Sequence, residues 1–183
     1  MSLTLPAGSA AYLFGYATGG ARPSTGFAAG QVASVTDADG YVAAALAETF
    51  SDSDSFSTSA AFYSMAGVGV SGFSSLSAVS TGSNAGPGST LAASVTFPVT
   101  TANSLVVIIA LASSQQALSL SGVSGLHTDA STANPPNGPV AVAVAHVCLG
   151  PGDYTVTQTS VETAAGQDPN HATNLIGAFV FSP

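Results

Sequence analysis

The sequence predicts an all-β protein, an antiparallel β-sandwich of jelly-roll-like form with at most one short helix. Three observations lead there. Short runs rich in Val, Ile, Thr, Phe and Tyr recur at roughly 8–15-residue intervals. Clusters of turn-forming residues such as GSNAGPGS and STANPPNGP separate them. Several runs alternate apolar and polar residues with period two, as in SVTFPVT, where Val95, Phe97 and Val99 share one side and Thr96 lies on the other.

In chain order, AYLFGYA (11–17) is the first strand, with aromatic and aliphatic residues and little polarity. YVAAALAET (41–49), introduced by Asp39-Gly40, reads either as the one helix or as a strand with Val42, Ala44 and Leu46 on one face. FSTSAAFYSMAGVGV (56–70), STLAASVTFPVT (89–100), SLVVIIALA (104–112) and ALSLSGV (117–123) follow as strands. PVAVAVAHVCL (139–149), DYTVTQTSV (153–161) and NLIGAFVFS (174–182) complete the set. LVVIIALA and VAVAVAHVCL are apolar on both faces, which places them centrally in a sheet covered on both sides. DYTVTQTSV alternates Tyr154, Val156 and Gln158 against Thr155, Thr157 and Thr159, giving one core side and one threonine side. The threonine side is the expected contact surface for a partner.

The 183 residues fit one domain, 1–183, whose only candidate division is the Gly/Ser-rich stretch 82–90. Charged residues make up only 5% of the chain, against roughly 25% in an average soluble domain. The surface is therefore expected to be mainly Ser, Thr, Ala, Gly, Asn and Gln. Nine carboxylates against one cation, Arg22, give a formal charge of −8. No cationic patch exists to neutralise phosphates, which argues against nucleic acid and anionic membranes as partners. Arg22 precedes Pro23 and lysine is absent, so the sequence offers no ordinary site to a trypsin-like protease. That suits a protein outside cells, although drift in composition accounts for it equally well.

One cysteine, Cys148, rules out an intrachain disulfide. The N-terminal MSLTLPAGSAAYLFGYATGG lacks the basic and continuous apolar regions of a signal peptide. The longest strongly apolar run, Leu105 to Ala112, is far short of the about 20 residues of a membrane-spanning helix. The expectation is no membrane insertion. Export after signal removal, or release on lysis as for virion proteins, would take the chain to the expected extracellular, cell-surface or virion-surface location.

From Leu91 onward the chain runs through VTFPV, SLVVIIALAS, LSLSGVSG, AVAVAHVCL, GPGDYTVT and NLIGAFVF. This order resembles the β-sandwich and jelly-roll domains of secreted bacterial and archaeal surface proteins and of phage virion proteins. The resemblance covers the C-terminal half, is a pattern of strands without a catalytic signature, and implies a structural or adhesive role.

Gly67-Val-Gly69-Val-Ser-Gly72 has dinucleotide-loop spacing, but no helix opening and no acid about 20 residues on follow, so a glycine-containing strand is expected and no cofactor. Asp37, Asp39, Asp52 and Asp54 are the candidate metal ligands, since Asp-Ala-Asp-Gly resembles the opening of a calcium loop. The alternative is that these carboxylates bend and cap turns in solvent. No serine has glycine at both −2 and +2, so the hydrolase elbow is absent. His127 with Asp129 and Asp168 with His171 fall in turn-like segments and would form a metal site only if their loops converge. His146 and Cys148 share a strand face within a run of valines, which reads as a buried thiol beside a hydrogen-bonded or edge-facing imidazole rather than a reactive pair.

The functional expectation is a non-catalytic structural subunit of an extracellular assembly, filament or virion surface, that self-associates through strand edges or termini. A chain nearly free of lysine and arginine lacks the usual charged guards on sheet edges. The alternative is an extracellular glycan-binding or adhesive module, with Tyr12, Phe14, Tyr16, Tyr41 and Tyr63 as stacking surfaces. The absence of Trp counts against it. Expected partners are thus other copies of the chain or surface glycans.

Overall fold

The structure is a computed structural model that describes residues 2–4, 11–18, 31–36, 42–49, 55–57, 63–86, 90–113, 117–132, 140–161 and 172–183. Among the described residues all regular structure is β, in fourteen strands and no helix. They are β1 (Ser2–Thr4), β2 (Ala11–Thr18), β3 (Gln31–Thr36), β4 (Val42–Thr49), β5 (Ser55–Ser57), β6 (Tyr63–Val70) and β7 (Ser75–Ala85). Then come β8 (Thr90–Val99), β9 (Ser104–Ser113), β10 (Ala117–Ser121), β11 (His127–Thr132), β12 (Val140–Leu149), β13 (Gly152–Val161) and β14 (Thr173–Ser182). Every pairing is antiparallel.

The segment 41–49 that reads either way in sequence is the strand β4. Ala44 and Leu46 join the core, and Ala45 and Ala47 are buried on the opposite face. Pairing with β2 on one side and β3 on the other overrides the helical preference of its alanines.

Three sheets stack. The central one has the order β11-β12-β9-β14-β7. One face of it meets the three-stranded sheet β10-β13-β8, and the other meets the four-stranded sheet β3-β4-β2-β6. Along β9, Val106, Ile108 and Ala110 face the three-stranded sheet, while Val107, Ile109 and Leu111 face the four-stranded one. β12 and β14 divide their side chains in the same way. Burial on both faces is what makes LVVIIALA and VAVAVA continuously apolar, each large aliphatic side chain contributing about 1.5–3 kcal/mol.

The C-terminal strands nest as pairs: β7 with β14, β8 with β13, β9 with β12, and β10 joined to β11 by the short connection 122–126. Successive members fall in alternate sheets from β7 to β10, so this half has the connectivity of a jelly roll. β11 departs from that scheme by pairing with β12 at the edge of the central sheet. The four-stranded sheet, built wholly from residues 11–70, forms the third layer.

Close approach between layers falls at glycines. A Cβ on Gly177 would lie 2.6 Å from a Leu46 methyl, and one on Gly15 would lie 2.9 Å from an Ile109 methyl. Gly82 of β7 is tighter, since a Cβ there would meet the backbone oxygen of Ser94. The corner where β7 passes β8 therefore needs a residue without a side chain, and Asn84 Nδ2 fastens the same corner by donating to Ala92 O at 2.8 Å.

A polar seam crosses between the central and three-stranded sheets. Gln158 Nε2 donates to Leu111 O at 2.7 Å, Ser160 Oγ donates to Asn174 Oδ1 at 2.7 Å, and Asn174 Nδ2 donates to Leu91 O at 2.9 Å. These groups are fully buried, so the bonds fix the register of one sheet over the other.

Candidate functional site

Two surfaces carry the polar chemistry of the described residues. The first is the outer face of the three-stranded sheet. Period-two alternation turns Val156, Gln158 and Ser160 of β13 inward to full burial and leaves Thr155, Thr157 and Thr159 on the other side. The register sets Thr157 opposite Ser94 and Ser121, Thr155 opposite Thr96, and Thr159 opposite Ser119. Ser94 and Thr157 hydroxyls lie 2.8 Å apart, and those of Thr96 and Thr155 lie 2.9 Å apart. The result is a ladder of cross-strand hydroxyl pairs with no lysine, arginine or glutamate on β8, β10 or β13. On the inward side Tyr154 stacks on Phe97, ring centroids 6.1 Å apart, and its hydroxyl donates to Gly150 O.

The second is at the β11 edge of the central sheet. β11 is a strand rather than the turn its His-Thr-Asp-Ala-Ser-Thr sequence suggests, because β12 supplies a template for pairing. His127 lies directly across from His146. The register then slips between Thr128 and Ala130, a bulge that leaves Asp129 without a cross-strand partner. The Asp129 carboxylate accepts from His146 Nδ1 at 2.7 and 2.8 Å and lies 3.3 Å from His127 Nδ1. The two imidazole rings are 5.3 Å apart and tilted by 46°. Asp129 and His146 also line a half-open cleft of ≈ 340 Å³ whose other walls include Val68, Val70, Leu105 and Val107.

Sequence reasoning placed His127 beside Asp129 and His146 beside Cys148 but did not join the two pairs. Asp129 is the carboxylate partner His146 lacks in sequence, brought in from 17 residues away by strand pairing. Cys148 is exposed, contrary to the buried thiol expected from its valine-rich run. The reason is that β12 runs past its last pairing with β11, and Leu105 opposite Cys148 is itself only half buried, so cover fails at this end. Gly67 and Gly69 lie within β6, so the Gly-x-Gly-x-x-Gly spacing belongs to a strand and its exit, with no helix following.

The candidate calcium ligands Asp37, Asp39, Asp52 and Asp54 lie outside the described residues, as do Asp168, His171 and Tyr41. Of the aromatic residues considered as stacking surfaces, Phe14 and Tyr16 are buried, which removes them from any sugar-binding face. Burial also raises the Tyr16 hydroxyl's pKa. No helix among the described residues is long and apolar enough to cross a membrane. No protein-family model, curated protein or solved structure matches the chain.

Proposed function

We propose that the protein is a non-catalytic structural subunit of an extracellular assembly, either a filament or a virion surface, in which copies associate through sheet edges and the hydroxyl face. The observation that carries this reading is the distribution of edge protection. Of the six strands at the ends of the three stacked sheets, β3, β7 and β11 are interrupted by register shifts that discourage further pairing, and β8 carries Pro98. Among the described residues β6 and β10 are edges too, yet they contain neither a register shift nor an ionisable Lys, Arg, Asp or Glu. Monomeric proteins guard such edges, and unguarded ones are suited to pairing with another chain.

The ion-poor hydroxyl face beside β10 supports the same reading, since it presents hydrogen-bonding groups to a partner without the desolvation cost of charges. Connectivity of the jelly-roll kind occurs in capsid proteins and in lectins, an analogy of fold alone. The test is the size of the pure protein as its concentration rises, by light scattering and electron microscopy. Concentration-dependent oligomers or fibres are expected, and a compact monomer at every concentration would overturn the proposal.

A further inference from the structure

We infer that His127, Asp129 and His146 form a binding site for a late first-row divalent transition metal ion of the zinc class, independent of the assembly reading. Side-chain donors converge here as they do nowhere else among the described residues. One nitrogen from each imidazole and one carboxylate oxygen all lie within 4.8 Å of one another. The donors come from two strands paired in fixed register, so the backbone holds them before any ion arrives. The bulge in β11 leaves Asp129 out of the cross-strand pairing, and its carboxylate reaches both histidines.

Donor chemistry selects the ion. Two imidazoles and one carboxylate suit zinc and its neighbours, whereas calcium and magnesium take oxygen ligands in greater number. Bond lengths of about 2.0–2.2 Å in a tetrahedral shell require ligand atoms about 3.3 Å apart. The His127 Nδ1 to Asp129 Oδ1 distance is 3.3 Å, and His146 Nδ1 lies 2.8 Å from the same oxygen. Opening the shorter contact takes only a small side-chain rotation, which these positions permit, since the side chains of His127, His146 and Asp129 are 70%, 43% and 39% exposed.

Ionised Asp129 can only accept, so Nδ1 of His146 carries the proton between them. Coordination through Nδ1 requires the neutral ring with its proton on Nε2. Three protein ligands leave at least one position for water, and the chain's formal charge of −8 draws cations to the surface.

The experiment is calorimetric titration of the full chain, stripped with chelator and dialysed, with zinc chloride. Cobalt(II) absorption reports the coordination geometry. One ion per chain is expected to bind saturably. Asp129→Asn and His127→Ala are each expected to weaken binding by at least about tenfold, with the visible cobalt band lost. Thermal melts of the metal-free variants establish that they are folded. His127→Ala, at the most exposed of the three positions, is the variant least able to disturb the fold. Failure of the wild-type chain to bind zinc saturably, or binding unchanged in folded His127→Ala and Asp129→Asn, would overturn the inference. Loss of self-association leaves this site untouched, and loss of metal binding leaves the assembly proposal untouched.

Discussion

At the scale of single residues, one buried and one partly buried polar side chain make opposite predictions. Asn174 is fully buried and serves both Ser160 and the Leu91 carbonyl, so Asn174→Ala strands two groups at once. The expected loss is about 2–4 kcal/mol, the sum of one or two unmade buried hydrogen bonds, read from the midpoint of urea unfolding. Glu48 lies partly buried at the end of β4, with Oε2 enclosed and without a hydrogen-bond partner. Desolvation raises its pKa above the ordinary 4.5. The folded state therefore holds this proton more tightly than the unfolded chain does. The unfavourable contribution is absent at pH values below the ordinary carboxylate range and sets in as the pH rises through and above it. Glu48→Gln is expected to raise the melting temperature at about pH 7 and to have little effect near pH 3. A gain of equal size at both pH values would contradict the desolvation account.

At the scale of elements, the glycine at position 82 decides whether β7 can pass over β8. Gly82→Ala places a methyl group on the Ser94 backbone oxygen, which cannot rotate away as a flexible side chain would. A loss of about 1–3 kcal/mol is expected, typical of forcing an extra carbon into a filled space. Gly177→Ala presses only on side-chain atoms of Leu46 and Phe179 and is expected to cost less in the same denaturation measurement. The edges offer a second test at this scale. Ser119→Lys on β10 together with Gly69→Lys on β6, both at exposed positions, places cations on the two unguarded edges. Lower self-association with a melting temperature close to wild type is expected, measured by sedimentation alongside calorimetry. Undiminished assembly would remove these edges from the interface. β7 itself is not apparent in SLSAVSTGSNA, whose serines, glycine and asparagine have weak strand preference. It forms because β14 supplies ten paired positions along it.

At the scale of the whole molecule, one sign of charge governs association. With nine carboxylates and a single arginine, copies repel one another at low ionic strength. Self-association is expected to strengthen between about 20 and about 200 mM salt as the Debye length shrinks, with light scattering as the readout, whereas assembly held by salt bridges would weaken. The sequence by itself determined the β class and the two-sided burial of LVVIIALA and VAVAVA. It also determined which side of β13 carries threonine, because alternation along a strand is local and side-chain polarity writes it directly. Tertiary structure alone decided that β4 is a strand. It alone also set the four-stranded sheet as a third layer and left Cys148 exposed where cover ends. The meeting of His127, Asp129 and His146 is of the same kind. It depends on which strands become neighbours, in what register and with which bulge, and those choices are made by pairing between segments distant in the chain.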